Sequence, residues 1–298
     1  MDVKVWLTAF RLRTLPLALS CIGMGAFLAA RLGLFRWSIF LLCILTTVFL
    51  QILSNLSNDY GDSIHGADSN DRKGPSRTVQ SGAISPGAMR SAMIVFALLS
   101  FASGITLLFV AFGMDWKALF FFLILGLLSI AAAIAYTVGR KPYGYAGLGD
   151  ISVFIFFGLV GVLGSFFLFT RHVSWLEVFP AITCGLFSVA VLNINNIRDI
   201  SSDQKAGKQS VPVRLGKERA VIYHWFLLIG GITAAVISVV LTSGSPWQWL
   251  FLLTIPLFIK NGRTVSRLHA EQLDPYLKQM ALSTLLFVIL YGTGQLLR

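Results

Sequence analysis

Nine apolar stretches, most of them close to the length of a transmembrane helix, divide the 298-residue chain. An α-helix needs about 20 apolar residues to cross the hydrocarbon core of a bilayer. Since 56% of the residues are hydrophobic and only 12% are charged, the chain has too little polar surface for a soluble globule. We therefore expect an all-α integral membrane protein with nine transmembrane helices. The predicted spans are 15–30, 37–57, 91–112, 117–137, 151–170, 175–196, 220–242, 246–260 and 279–297.

The basic residues alternate with the predicted spans. The net charge is +11, from 24 Lys and Arg residues against 13 Asp and Glu residues. The N-terminal tail and every second loop contain 19 of the 24 basic residues, and the opposite side contains the other 5. Because basic loops stay in the cytoplasm, we expect a cytoplasmic N-terminus and an external C-terminus. This bias explains the positive charge without a nucleic-acid partner. The three cysteines lie in apolar spans, where neither a disulfide nor a metal cluster is expected.

A cluster of polar residues lies where the second predicted span ends. Asn58 and Asp62 are four positions apart, which places both on one face of a helix. Asp59 lies between them, and Asp68 follows in the loop. This spacing predicts a group of oxygen ligands at the cytoplasmic end of the helix. The alternative is a set of solvated acids that cap the helix end.

A second cluster lies at the end of the sixth predicted span. Asn195, Asp199 and Asp203 are spaced at i, i+4 and i+8 and would share one helix face. Carboxylate and amide oxygens with no nearby His or Cys favour a hard cation, Mg²⁺ before Zn²⁺. Because Mg²⁺ is usually bound by a few carboxylates and the oxygens of a phosphate substrate, the two clusters together indicate a magnesium site.

Basic residues lie among these acids. Arg72 and Arg77 follow the first cluster, and Arg198, Lys205 and Lys208 accompany the second. A loop with both carboxylates and cations suits a metal–diphosphate complex, since the carboxylates bind the metal and the cations bind the outer oxygens. For any single basic residue, the topological bias of cytoplasmic loops is the simpler explanation.

A third polar segment, 136–150, separates the fourth and fifth predicted spans. Four glycines within eleven of its residues indicate a tight loop of specific shape. Lys141 in this loop could reach a phosphate. Asp150 lies where the fifth span begins, so it would either cap that helix or contact a substrate.

These segments resemble the UbiA superfamily of intramembrane aromatic prenyltransferases, and the resemblance runs nearly from end to end. The first motif of that superfamily is an Asn-Asp pair with further Asp residues four and eight positions after the Asn. Asn58 and Asp62 match it, but Gly66 occupies the last position. The next acid, Asp68, has a spacing typical of the branch that prenylates 1,4-dihydroxy-2-naphthoate. The matching segments, which include the second motif at 199–203, are 13–16, 51–68, 136–150, 195–208 and 213–216.

The resemblance implies one UbiA-like prenyltransferase domain over residues 1–298, with Asp motifs at 58–71 and 195–203. The implied fold is a nine-helix bundle in a bacterial cytoplasmic (inner) membrane, with a cavity that is polar near the cytoplasmic face and open to lipid at its side. The implied reaction transfers a polyprenyl group from an all-trans polyprenyl diphosphate to 1,4-dihydroxy-2-naphthoate. CO₂ and diphosphate are lost, and demethylmenaquinol forms on the route to menaquinone. The implied cofactor is Mg²⁺, and the partners are these two substrates and the lipid bilayer; the oligomeric state is not indicated.

The motifs and the resemblance together assign the candidate site residues. Asp59, Asp62, Asp199 and Asp203 are assigned to catalysis. Metal binding is assigned to Asn58, Asp59, Asp62, Asp68, Asn195, Asp199 and Asp203. Diphosphate binding is assigned to Arg72, Arg77, Lys141, Arg198, Lys205 and Lys208. Binding of the aromatic acceptor is assigned to Arg13, Tyr136 and Asp150.

Other functions stay open on the sequence. A related membrane prenyltransferase could use another acceptor, such as 4-hydroxybenzoate or haem. A secondary transporter of an anionic solute also has weak repeats and polar helix ends, although nine spans and acids at one membrane face argue against alternating access. A phosphatidyl-type alcohol transferase would need an Asp-Gly-x-x-Ala-Arg run, which the chain lacks.

Overall fold

The computed structural model describes residues 2–66, 74, 77–242 and 244–297. In these ranges nearly every segment is helical, and short loops connect the helices. A π-helical stretch covers Phe154–Gly164, and a 3₁₀ stretch covers Pro246–Thr254. The α-helices are α1 (Val3–Phe10), α2 (Leu15–Arg31), α3 (Trp37–Ile64), α4 (Pro86–Phe112), α5 (Trp116–Ala135), α6 (Gly149–Val153), α7 (Ser165–Thr170), α8 (Val178–Arg198), α9 (Ile200–Lys205), α10 (Val211–Thr242), α11 (Ile255–Arg267) and α12 (Asp274–Leu296).

The outer surface of the bundle is apolar. Large hydrophobic side chains point outward from α4, α5 and α10, among them Leu98, Phe120 and Ile222. In the described part of the chain, eight helical segments are long and apolar enough to cross a membrane. They correspond to all the predicted spans except 246–260. The chain is therefore an integral membrane protein with a helical bundle, as the apolar pattern predicted.

The remaining predicted span, 246–260, consists of two pieces. The 3₁₀ stretch leads into α11, which has a proline in its first turn. Near one end of α12, Gln248 Nε2 donates to Gln295 Oε1 at 3.0 Å. Near the other end, Asn261 Nδ2 donates to the carbonyl oxygen of Tyr276 at 3.2 Å. The segment therefore runs antiparallel to α12 along most of its length, as a composite element and not as one continuous apolar helix.

Helix α3 is longer than its predicted span of 37–57. It continues through the first motif to Ile64, so Asn58 and Asp62 lie one turn apart on one helix. Hydropathy ended the predicted span too early because the last turns of the helix are polar. These polar residues are nevertheless buried, since Asp59 is 1% exposed and Asp62 is 4% exposed.

The second motif departs from the predicted helical column. Helix α8 ends at Arg198, and Asp199 has φ −100° and ψ 10° before α9 begins. The amide of Asp203 still donates to the carbonyl oxygen of Asp199 at 2.8 Å, so the interruption is short. Asn195, Asp199 and Asp203 therefore occupy two helices and the junction between them.

The predicted fifth span contains the π-helical stretch between α6 and α7. π-helical turns are rare and are frequently found at functional sites. At Gly158 the stretch packs closely against α8, because an added Cβ atom would lie 2.8 Å from the carbonyl oxygen of Ala181. Phe157 and Val160 of the same stretch line an internal cavity. The π-helical stretch therefore packs against α8 at Gly158 and forms part of the cavity wall with Phe157 and Val160.

Candidate active site

A cavity of about 470 Å³ lies inside the bundle and is polar at one end. Its wall comes mainly from α2, α3, α4, α5, α8 and the π-helical stretch. Its apolar part includes Leu50, Phe101, Phe122, Phe157 and Leu168. Its polar end includes Asn58, Asp62, Arg77, Asn195, Asp199, Asp203 and Lys208. The shape suits a molecule with a charged head and a long apolar tail.

Asp62 joins three parts of the chain at the polar end. Arg77 Nη2 lies 2.9 Å from its Oδ2, and Tyr145 Oη donates to its Oδ1 at 2.9 Å. Lys208 Nζ also lies 2.9 Å from Oδ1. A buried carboxylate is stable when cations and hydrogen-bond donors compensate its charge in this way. The first motif, the glycine-rich loop and the loop after α9 therefore meet at one carboxylate.

Lys208 links the two motifs. Its Nζ lies 3.4 Å from Asp203 Oδ1 and 4.7 Å from the centre of the Tyr145 ring. Burial, as the largest cause, and the carboxylates of Asp199 and Asp62 together raise the pKa of Asp203 to about 6, against the opposing effect of Lys208. Three acids therefore crowd one end of the cavity, where added positive charge would stabilise their ionised forms.

Arg198 binds the second motif from outside the cavity wall. Its Nε and Nη2 donate to the two carboxylate oxygens of Asp199 at 2.9 and 2.7 Å. Nη2 also donates to Asn195 Oδ1 at 2.8 Å. Asp199 and Asn195 line the cavity, whereas Arg198 is 1% exposed and does not. The structure therefore places this predicted diphosphate ligand behind the motif.

Asn58 and Asp59 are neighbours with different surroundings. Asn58 lines the cavity, and its Oδ1 accepts a hydrogen bond from Thr137 Oγ1 at 3.2 Å. The Asp59 carboxylate accepts from the amide and hydroxyl of Thr78 at 3.1 and 2.7 Å and from the amide of Val79 at 3.2 Å. Asp59 does not line the cavity. Its carboxylate binds the turn at Thr78 and Val79 and lies apart from the other predicted metal ligands of the first motif.

Other predicted site residues lie away from the cavity. Arg13 is partly exposed, and its Nη1 lies 2.7 Å from Asp274 Oδ2. Lys141 and Lys205 are exposed on the surface. The cavity wall contains none of these three basic residues. Two further candidates, Asp68 and Arg72, lie outside the described residues.

The glycine-rich segment contributes Tyr136 and Asp150 to the cavity wall. Asp150 accepts a hydrogen bond from Tyr223 Oη at 2.9 Å, and Leu148 occupies the N-cap position of α6, so Asp150 is not that helix cap. Burial raises the pKa of Tyr136, so its hydroxyl stays a hydrogen-bond donor even above the pH at which an exposed tyrosine ionises. The hydroxyl packs against Gly149, where an added Cβ atom would lie 2.7 Å away.

The sequence analysis did not single out three residues that contact predicted site residues: Tyr145, Tyr223 and Asp274. Two of them could have been found, because Tyr145 belongs to the glycine-rich segment and Asp274 is one of only 13 acids. Tyr223 lies 73 positions from Asp150 within an apolar span. No pattern in the sequence links these two residues, because their contact depends on how α10 packs.

The polar end provides ligands that fit a hard divalent cation. Its acids and amides offer only oxygen atoms, which Mg²⁺ prefers. Within the described part of the chain, no three carboxylate, His or Cys side chains lie close enough together to bind a metal by themselves. A cation would need further oxygens from a ligand or from water, which is the usual coordination of Mg²⁺. The residues present therefore fit Mg²⁺ bound jointly with a phosphate-bearing ligand.

The fold and the site define a class of helical membrane proteins in which an internal cavity joins a carboxylate-rich polar end to an apolar interior. The sequence model of the UbiA prenyltransferase family matches residues 18–289 of this chain. The chain belongs to that family. The family assignment agrees with the resemblance of the two Asp motifs.

Two bacterial relatives are similar to the chain over almost its full length. The 1,4-dihydroxy-2-naphthoate octaprenyltransferase of Escherichia coli is 45% identical over 294 residues, which cover 98% of this chain and 94% of the relative. The protein of the same name from Haemophilus influenzae is 44% identical over 298 residues, which cover 99% of this chain and 96% of the relative.

Solved structures confirm the expected helical architecture. The apo structure of a UbiA homolog from Aeropyrum pernix has a TM-score of 0.68 at 19% identity, and the match covers 96% of this chain and 97% of that one. A UbiA homolog from Archaeoglobus fulgidus bound to DMAPP and Mg²⁺ has a TM-score of 0.58 at 18% identity, with 96% and 99% covered. At this identity the likeness concerns the fold.

Proposed function

We propose that this protein is a magnesium-dependent prenyltransferase that transfers a polyprenyl group from a polyprenyl diphosphate to 1,4-dihydroxy-2-naphthoate. The observation that supports this most directly is the cavity, where acids of both motifs and Lys208 lie at the polar end of an apolar chamber. Relatives with 44–45% identity bear the name of this reaction. The whole chain, 1–298, acts as one catalytic domain.

The diphosphate binds at the polar end of the cavity in this proposal. Asp62, Asp199 and Asp203 would bind Mg²⁺, assisted by the amide oxygens of Asn58 and Asn195. When bound, magnesium supplies positive charge to the oxygens of the diphosphate leaving group. The Archaeoglobus fulgidus homolog, which has the same fold and was solved with DMAPP and Mg²⁺, supports this assignment.

Lys208 and Arg77 would bind the outer oxygens of the diphosphate. Both side chains now neutralise Asp62, so both reach the polar end of the cavity. Charge-assisted hydrogen bonds to a leaving group strengthen as its negative charge grows, which lowers the barrier. These two cations are therefore the best-placed donors for the departing diphosphate.

The apolar wall would bind the prenyl tail and exclude water. In the reaction the allylic C–O bond of the donor breaks, and its electron pair leaves with diphosphate. A carbon of the electron-rich naphthoate ring bonds to the allylic carbon, and the ring loses CO₂. Water in the cavity would capture the allylic cation, so the apolar wall protects the intermediate. The ring faces of Phe122 and Phe157, which line the cavity, can stabilise positive charge.

Tyr136 and Asp150 would orient the aromatic acceptor. Both line the cavity, and both carry polar groups suited to the hydroxyls of a dihydroxynaphthoate. Tyr223 positions the Asp150 carboxylate through its hydrogen bond at 2.9 Å. Arg13 is left out of this assignment because it pairs with Asp274 on the outside of the bundle.

The polar end of the bundle faces the cytoplasm in this proposal. The loops at this end contain most of the 24 basic residues, which is the orientation that basic loops favour. Both named relatives are bacterial, which supports the bacterial inner membrane as the location. The donor and the naphthoate would then reach the site from the lipid and from the cytoplasm.

The proposed reaction is tested with the purified full chain in detergent or nanodiscs. Dihydroxynaphthoate and a polyprenyl diphosphate should give a decarboxylated, prenylated product and free pyrophosphate. Removal of Mg²⁺ with EDTA should abolish product, and added Mg²⁺ should restore it. Prenylation of 4-hydroxybenzoate instead of dihydroxynaphthoate would favour a related acceptor, and a chain that releases no pyrophosphate with any acceptor would contradict the proposal and leave a transporter as the alternative.

The variant Lys208→Met should raise the KM for the prenyl diphosphate about tenfold or more, because the cavity loses a cation that can bind the diphosphate. Steady-state kinetics at saturating acceptor measure the change. The matched control is Lys260→Met, since Lys260 is exposed on α11 and away from the cavity. An unchanged KM in a folded Lys208→Met protein would remove Lys208 from the diphosphate site.

A further inference from the structure

Arg198 is the buried centre of a network of charged residues. It is 1% exposed, and its Nε and Nη2 donate to both carboxylate oxygens of Asp199. Its third nitrogen, Nη1, donates to Asp274 Oδ1. The guanidinium is therefore shared between two carboxylates, only one of which belongs to an Asp motif.

The network connects segments that are far apart in the chain. Arg198 ends α8, and Asp274 begins α12, 76 positions later. The other oxygen of Asp274, Oδ2, accepts from Arg13 Nη1 at 2.7 Å. The backbone at Gly74 also lies against the guanidinium, because an added Cβ atom there would be 2.8 Å from Arg198 Nη2. Arg198 thus contacts its own motif, the start of α12 and Gly74, and Arg13 joins the network through Asp274.

Only part of this network reaches the cavity. Asp199 and Asn195 line it, whereas Arg198, Asp274 and Arg13 do not. A chain of hydrogen bonds nevertheless connects Asp274 to the cavity, from Asp274 through Arg198 to Asp199. Asp274 and Arg198 can therefore position Asp199, which lines the cavity, but they do not contact a ligand in the cavity themselves.

The Asp274 carboxylate affects how much of the negative charge of Asp199 is neutralised by Arg198. An Arg paired with Asp199 alone would direct its whole positive charge at the carboxylate that is proposed to bind a divalent cation. Because Asp274 shares the guanidinium, more of the negative charge of Asp199 remains available on the cavity side. The fork of Arg198 also fixes the orientation of the Asp199 oxygens, since a bidentate pair has a defined geometry.

We propose that Arg198 and Asp274 are positioning residues for the metal site: Asp274 shares the charge of Arg198, and Arg198 orients Asp199 and Asn195 toward the cation. This inference rests on the proposed function, because it assumes that Asp199 binds a divalent metal. It assigns a role to Asp274, an acid outside both motifs, and it gives Arg198 a role other than contact with diphosphate.

The test measures metal binding directly. Mn²⁺ with inorganic pyrophosphate is titrated into the full chain in nanodiscs, and free Mn²⁺ is followed by electron paramagnetic resonance. Asp274→Asn should raise the dissociation constant for Mn²⁺ about tenfold, whereas Asp274→Glu should stay close to the wild-type value. The control Glu218→Gln removes an exposed acid near the start of α10 and should change the constant less than twofold.

A purely structural role would lower the melting temperature of Asp274→Asn without changing Mn²⁺ affinity in the folded fraction, and that result would overturn the inference. If Asp274→Asn does not fold, Arg13→Gln serves as the second variant, because it leaves Asp274 wholly to Arg198. Mn²⁺ affinity should then be unchanged or higher, and a clear decrease would contradict the proposal. Absence of Mn²⁺ binding to the wild-type chain would contradict the proposed function itself, and this inference with it.

Discussion

Replacement of Asp62 by Asn should lower prenyl transfer at least about 100-fold while the protein stays folded. The change removes negative charge from the polar end of the cavity, where the first motif is proposed to bind the metal–diphosphate complex. It also leaves Arg77 and Lys208 without the carboxylate that now lies 2.9 Å from each of them. Product formation from dihydroxynaphthoate and a polyprenyl diphosphate measures the loss, and thermal unfolding in detergent verifies the fold.

Asp199→Asn should have an effect of the same size, because the second motif contributes the opposite side of the site. The matched control for both variants is Asp115→Asn. Asp115 caps α5 by accepting a hydrogen bond from the amide of Ala118 at 3.3 Å, and Asn can replace it in that role. Asp115→Asn should therefore retain normal turnover. Near-normal turnover in a folded Asp62→Asn or Asp199→Asn protein would remove that carboxylate from the metal site.

The variant Gly61→Ala should reduce both stability and activity. An added Cβ atom at Gly61 would lie 2.5 Å from the backbone carbonyl oxygen of Thr137, which cannot move without the surrounding segment. Thr137 Oγ1 donates to the carbonyl oxygen of Ser57 at 2.8 Å and to Asn58 Oδ1 at 3.2 Å. Separation of these segments would displace Asn58 and the neighbouring Tyr136. We expect a destabilisation of about 1–3 kcal/mol, as for other overpacked sites, and at least about a tenfold loss of prenyl transfer.

Gly87→Ala is the matched control for this prediction. Gly87 lies in the first turn of α4, and an added Cβ atom there meets no other atom within 4 Å. Since Ala is a better helix former than Gly, the variant should keep or slightly raise the melting temperature and keep full activity. If Gly61→Ala behaved like Gly87→Ala in thermal unfolding and in the prenyl-transfer assay, the close contact between α3 and Thr137 would not be required.

Hydropathy located the spans well because contact with lipid requires apolar side chains along a whole helix. It was less successful where a helix is polar but buried. The α3 helix continues to Ile64 instead of ending at 57, and the acids of its last turns are buried, because Asp62 lines the cavity and Asp59 binds the turn at Thr78. The 246–260 span was counted among the nine transmembrane helices as a short span that Pro256 could break, and a 3₁₀ stretch does precede α11 there.

Residue spacing predicted the positions of some site residues better than others. Asn58 and Asp62 share a helix face, and both line the cavity. Asp59 is one position from Asn58, about 100° further around the helix, and it binds the turn at Thr78 instead. The same spacing argument that favours Asp62 therefore argues against Asp59 as a metal ligand.

The amino-acid sequence was sufficient to establish a membrane-spanning helical protein, two Asn/Asp motifs and an oxygen-rich site, because these depend on composition and on local helical spacing. The choice among the basic residues required the fold. Lys208 and Arg77 face the cavity, whereas Arg198 faces away from it toward Asp274. Local patterns could not distinguish them, because each contact joins parts of the chain that only helix packing brings together; Arg198 and Asp274, for example, are 76 positions apart.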